Sequence, residues 1–141
     1  MMLQKLPIFL EENDAKLLIK YDGERGTKNY TVRLLFNDMQ KTSLGKDTDS
    51  PYDLLNALFE ESKKSIKEEM LTFFSKILID SIENLKRKYG ISCVITILLE
   101  EKDGSIIYTL HFQTTKYTKC LSGMDYVELY EKLISDENPN P

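Results

Sequence analysis

SPYDLLNALFEESKKSIKEEMLTFFSKILIDSIENLKRKYG, residues 50–90, is the stretch around which the rest of the chain is organised. Both of its ends carry helix signals. Ser50 can accept from the free N–H groups of a first turn, Pro51 suits the first helical position, and Asp53 favours the positive end of the helix dipole. At the far end Lys86, Arg87 and Lys88 complement the carbonyl terminus, and Gly90 can take the left-handed conformation that closes a helix. Between them Ile66, Met70, Phe73, Phe74, Ile77, Leu78, Ile82 and Leu85 recur at three- and four-residue spacings and form one broad apolar stripe. Leu54 and Leu58 fall outside that stripe while Lys63 and Lys67 fall inside it, so the phase changes near 62–65. Ser65-Ile66-Lys67-Glu68 has the form of a capping box, which predicts two helices, about 51–63 and 66–89, with one kinked helix as the alternative. A helix from Ile66 to Tyr89 spans about 36 Å and an eight-residue strand about 27 Å. Part of the helix is therefore expected to overhang its sheet and to offer a partner surface.

Two hairpins flank this region. Residues 15–22 read as a strand, 23–29 as a turn with glycine at 23 and 26, and 30–37 as the returning strand. In the return, Tyr30, Val32, Leu34 and Phe36 share one face and Thr31, Arg33 and Leu35 the other. The second hairpin joins 91–101 to 105–114 through Lys102-Asp103-Gly104, where Asp-Gly between β-branched runs is a strong turn signal. Its second strand places Ile106, Tyr108, Leu110 and Phe112 opposite Ile107, Thr109, His111 and Gln113. Short extra strands are expected within 39–46 and 115–121, and a last helix opening at Ser122 or Gly123 with Met124, Val127, Leu129, Tyr130, Leu133 and Ile134 as its apolar set. Residues 1–14 want burial but contain Pro7, which predicts an edge strand or a packed arm. The order ββ(β)-α-ββ(β)-α implies an α+β fold, a single mainly antiparallel sheet with the long helical region and the C-terminal helix packed on it. A single domain over 1–135 and a disordered tail over 136–141 complete the expectation.

Composition narrows the function classes. The chain has 141 residues, 41% hydrophobic and 30% charged, with no apolar run long enough to span a bilayer and no recognisable signal peptide. A net charge of −4 with mixed signs supplies no global drive towards nucleic acid or anionic membrane. Cys93 and Cys120 are the only cysteines and read as reduced thiols in a cytoplasmic setting.

Four motifs bear on chemistry. Lys20-Tyr21-Asp22-Gly23-Glu24-Arg25 resembles the nucleotide-attaching motif of ATP-dependent DNA ligases. That resemblance implies a covalent adenylate on Lys20 and a nucleotide contact from Arg25. The family's downstream glutamate-glycine-hydrophobic-lysine strand is not found here, and the hexapeptide also reads as a strand end entering a hairpin turn. Asp47-Thr48-Asp49-Ser50-Pro51-Tyr52-Asp53 is acidic enough for a calcium loop, but Pro51 stands where a ligand belongs and the sixth-position glycine is absent. His111 is the single histidine, which with two distant cysteines makes a zinc site improbable; Cys93 with His111 is the one conceivable catalytic pair. Lys16, Lys20, Arg25, Lys28 and Arg33 cluster on the first hairpin near Tyr21 and Tyr30, with Lys116 and Lys119 a second small basic group.

By alternation the sheet face away from the helices mixes Leu18, Leu35, Val94, Leu98 and Ile107 with Lys16, Lys20, Arg33, Thr96, Thr109 and His111. Either the N-terminal arm or the last helix covers its apolar part, or the face is an interface. The reading is a small non-enzymatic binding protein of inhibitor, immunity or accessory type, acting on a protein partner or on itself as a homodimer. Leu18, Lys20, Arg33, Leu35, Leu98, Ile107 and His111 form its expected partner surface, with no cofactor, metal or membrane. A nucleic-acid-binding protein using the first hairpin is the alternative, and an enzyme with a Cys/His site the third.

Overall fold

Among the described residues the chain forms six strands, β1 Ala15–Asp22, β2 Tyr30–Phe36, β3 Leu44–Thr48, β4 Val94–Lys102, β5 Ser105–Gln113 and β6 Thr118–Gly123, and period-two alternation is clear in β1, β4 and β5. The computed structural model describes residues 3–50 and 64–135. The helix expected over 51–63 and the tail expected over 136–141 lie outside the described residues. The strands form one antiparallel sheet in the order β3-β2-β1-β4-β5-β6. The two hairpins are joined side by side by β1 and β4, with Leu17 opposite Leu99 and Ile19 opposite Ile97. Asp103 and Gly104 connect β4 to β5 with φ of 53° and 81°, both left-handed, the two-residue turn that suits the twist of a hairpin.

Helices lie on one face. α1 spans Leu6–Asn13. α2 runs continuously over 64–89, as an α-helix Lys64–Phe73, a π-turn Phe74–Leu78 and an α-helix Ile79–Tyr89. α3 spans Tyr126–Ile134. The predicted stripe of α2 is the buried one: Met70, Phe73, Phe74, Leu78, Ile82 and Leu85 are all within 2% of complete burial. The extra residue in the π-turn widens the helix where two consecutive phenylalanines, Phe73 and Phe74, are both buried. Phe73, Tyr108 and Tyr126 pack with ring centroids about 6 Å apart, Phe73 edge-on to Tyr126. The Ser81 hydroxyl donates to the Leu78 carbonyl at 2.7 Å, which leaves its oxygen to accept from the Tyr126 hydroxyl at 2.6 Å.

Three local expectations are corrected. Residues 6–13 are a helix and not an edge strand; the packed arm is helical, with Leu6, Phe9 and Leu10 in the core, and Pro7 occupies its first turn, where a missing N–H costs nothing. No residue of its own chain segment caps α1. Glu69, on α2, does so instead, its carboxylate accepting from the backbone N–H groups of Gln4, Lys5 and Leu6, the last at 3.0 Å. The last helix starts at Tyr126 with Asp125 as cap, since Ser122 and Gly123 complete β6. Tyr126 therefore joins Leu129 and Leu133 in the core, while Met124 and Val127 are exposed. The third strand lies at 44–48, later than the 39–46 segment that the composition of the loop suggested.

Replacing Glu69 with alanine strips the cap from α1, and a loss of about 1–2 kcal/mol is expected by denaturant titration. Burial raises the phenol of Tyr108 to about 12 and pushes those of Tyr126 and Tyr21 upward. The folded state thus holds these protons more tightly than the unfolded state, whose phenols titrate near 10. The contribution of these phenols is expected to be constant below about pH 10 and to be lost as pH rises from 10 to about 12; Tyr126→Phe makes that alkaline decline shallower.

Candidate functional site: the open face of the sheet

Each strand's second set of side chains points away from α1, α2 and α3. Register places them in rows. One row runs Asp47, Thr31, Lys20, Thr96, His111, Cys120; the next runs Gly45, Arg33, Leu18, Leu98, Thr109, Ser122; a third runs Leu35, Lys16, Glu100, Ile107. The face predicted from alternation is thus assembled as a continuous surface. Leu18, Leu35, Val94, Leu98 and Ile107 are half-buried, and none belongs to the core cluster or packs against it. The core holds Leu6, Leu10, Tyr126 and Leu133 on the opposite side, so neither α1 nor α3 covers this face. Among the described residues no helix packs over it, and only Thr31 is buried there, beneath Arg25 and Asp47.

Backbone bonding sets the spacing at its centre. Gly23 N–H donates to the Cys93 carbonyl at 2.9 Å, and alternation from that pair makes Leu18 and Leu98 a non-hydrogen-bonded pair, the closer kind. Leu18 and Leu98 form an apolar centre. Around it stand Arg33, Thr109, Lys20, Thr96, Lys16 and Glu100, with Leu35 and Ile107 flanking the polar row.

The charged rim is internally paired. Lys16 meets Glu100 at 3.6 Å, Lys20 meets Asp22 at 3.8 Å, and Arg25 bridges Asp22 at 3.5 Å and Asp47 at 3.0 Å. Arg33 reaches Asp47 at 3.7 Å. The Thr31 hydroxyl donates to Asp47 at 2.5 Å and, with Arg25 beside it, holds this carboxyl below the usual range. Four of the five basic residues of the first hairpin therefore have carboxylate partners. Asp47 lies in β3 and Asp49 accepts from the Lys28 N–H, so the acidic run serves as an anchor for the hairpin turn; no grouping of metal-ligating side chains occurs among the described residues.

The ligase-like hexapeptide divides between strand and turn. Tyr21 is in the core with its hydroxyl on the Ile91 carbonyl at 2.7 Å, and Lys20 lies on the open sheet face between Thr31 and Thr96. A nucleophilic lysine needs an enclosing pocket, and a flat strand row is not one. Cys93 is buried on the core side, its thiol pushed up by burial, whereas His111 is on the open face; the two do not form a pair. His111 instead faces Cys120 across the β5–β6 ladder, a neighbour that strand spacing alone did not reveal because β6 had no fixed register in the sequence. A separate cleft of about 330 Å³ lies at the other side of the molecule, lined by Phe73, Ile77, Ile106, Tyr108, Met124 and Val127. Asp125 also borders it, but its carboxylate is committed to capping α3.

Comparison with protein-family models, with curated proteins and with solved structures gave no match. No helix of the described residues is long and apolar enough to cross a membrane.

Exposed Cys120 is expected to react rapidly with a thiol reagent in the native protein, and buried Cys93 only at the rate of unfolding. Mass spectrometry of the labelled chain distinguishes the two; rapid native labelling of Cys93 would reopen the catalytic-thiol reading.

Proposed function

We propose that this chain is a small non-enzymatic protein that acts by binding a protein partner through the open face of its sheet, in the manner of an inhibitor, immunity or accessory protein. The observation that carries this reading is the Leu18–Leu98 pair, apolar and without a covering element among the described residues, set inside a ring of polar and charged side chains. An apolar centre within a polar rim is how protein interfaces concentrate binding energy and exclude water. The two free thiols suit a reducing compartment such as the cytoplasm. Lys16, Lys20, Arg25 and Arg33 already spend their charge on Glu100, Asp22 and Asp47, which favours a protein over a polyanion as the occupant.

The test is a double variant, Leu18→Asp with Leu98→Asp, immobilised beside the parent chain and beside Met39→Asp, which alters a residue 97% exposed on a loop. Proteins of the source cell that bind the parent and Met39→Asp should be lost from the double variant, with affinity reduced about 30-fold or more. Capture that is indifferent to the two leucines would remove the open face as the binding surface. Circular dichroism should be unchanged in all three, because neither leucine contributes to the core.

A further inference from the structure

Among the described residues β6 ends the sheet on one side, and its backbone bonding is fixed by a single turn. Thr114 N–H donates to the Tyr117 carbonyl at 2.8 Å, so that opposed pair exchanges hydrogen bonds, and bonded and non-bonded pairs alternate along an antiparallel ladder. Carried through the register, Lys119, Leu121 and Gly123 bond inward to Phe112, Leu110 and Tyr108. Thr118, Cys120 and Ser122 therefore turn both N–H and C=O outward, and all three are exposed. The outward set is symmetric about Cys120.

We infer that this edge pairs with a second copy of the chain, β6 against β6, antiparallel and centred on Cys120. In that alignment Cys120 opposes Cys120 and Thr118 opposes the second copy's Ser122, and every outward donor meets an outward acceptor. Shifting the centre to Lys119 or Leu121 leaves part of the set unpaired. A two-fold axis through the edge is the simplest closed assembly, and it merges two six-stranded sheets into one.

The opposite edge does not offer this. On β3 the outward residues are Gly45 and Asp47, by the same alternation. Gly45 has φ +134° and presses so close to β2 that a Cβ would lie 2.1 Å from the Val32 carbonyl oxygen, which distorts the strand. The Asp47 side chain is held by Arg25, Arg33 and Thr31. Folded sheets blunt their edges with distortions, prolines and charges to prevent pairing. β6 has no proline and no left-handed residue, and its one charged residue, Lys119, lies on the helix-covered side with Leu121. This pairing is independent of whatever occupies the open face.

The experiment is solution mass by light scattering over a wide concentration range, combined with a short bis-maleimide that links thiols. A particle of twice the chain mass is expected, cross-linked through Cys120 because Cys93 is buried. Cys120→Ser should keep that mass and lose the cross-link. Cys120→Pro deletes the central outward N–H while sparing the bonds to β5, and should weaken the dimer about tenfold or more with an unchanged fold. Should that variant misfold, Thr118→Pro at the first position of the strand removes another outward N–H and is expected to weaken the dimer likewise. A single-chain mass at every concentration overturns the inference, as does a dimer indifferent to both prolines. A dimer abolished by Leu18→Asp with Leu98→Asp and untouched by the prolines also overturns it, and assigns self-association to the open face instead.

Discussion

The ladder between β1 and β4 is the constraint on which the rest of the molecule depends. Without it the sheet divides into two three-stranded halves, β3-β2-β1 and β4-β5-β6, each too narrow to support the helical layer by itself. Pairing Leu17 with Leu99 and Ile19 with Ile97 places the two hairpins in one sheet, and these four side chains are completely buried at its centre. The helices need that width: α1 and α2 rest on strands that come from both hairpins. Because the paired residues are far apart in sequence, closing this ladder carries the largest chain-entropy cost in the fold, and nothing local compensates until the core forms.

The helical layer is fastened by polar contacts at points where apolar packing alone leaves backbone groups unmet. Glu69 supplies acceptors to α1, whose N-cap residue, Lys5, makes no side-chain cap hydrogen bond. Lys86 lies over the Tyr21 ring at 4.6 Å, fixing the end of α2 against the end of β1. Between these points the π-turn leaves Phe73 and Phe74 both buried, and the Tyr126–Ser81–Leu78 chain of hydrogen bonds ties α3 to α2. A buried tyrosine without that partner would face the cost of an unmet hydroxyl.

On the other side of the sheet the economy is different. Charges there are paired within the chain, chiefly through Asp22 and Asp47, and the apolar residues are few and central. Leu18 and Leu98 stay half-buried there, outside the core cluster. The paired charges also tie the loop between β1 and β2 to β3, so the rim is held in place by the same contacts that neutralise it.

Much of this was legible in the residues themselves. The alternation in 30–36 and 105–113, the Asp103-Gly104 turn and the stripe from Met70 to Leu85 follow from steric preferences that act over a few residues, so they could be read directly. The same short-range rule placed Leu18, Leu35, Leu98 and Ile107 on one face. It fails at 6–13, where Pro7 reads as a break although it stands in a first helical turn, and at Ser122 and Gly123, which belong to a strand that ends before the helix begins. Only the tertiary structure decided the order of the strands, the side on which α1 and α3 lie, the capping of α1 by Glu69, the meeting of Arg25 and Arg33 at Asp47, and the placing of Cys120 opposite His111. Those features depend on registers between segments distant along the chain, and no local propensity encodes a register until the core that rewards it has closed.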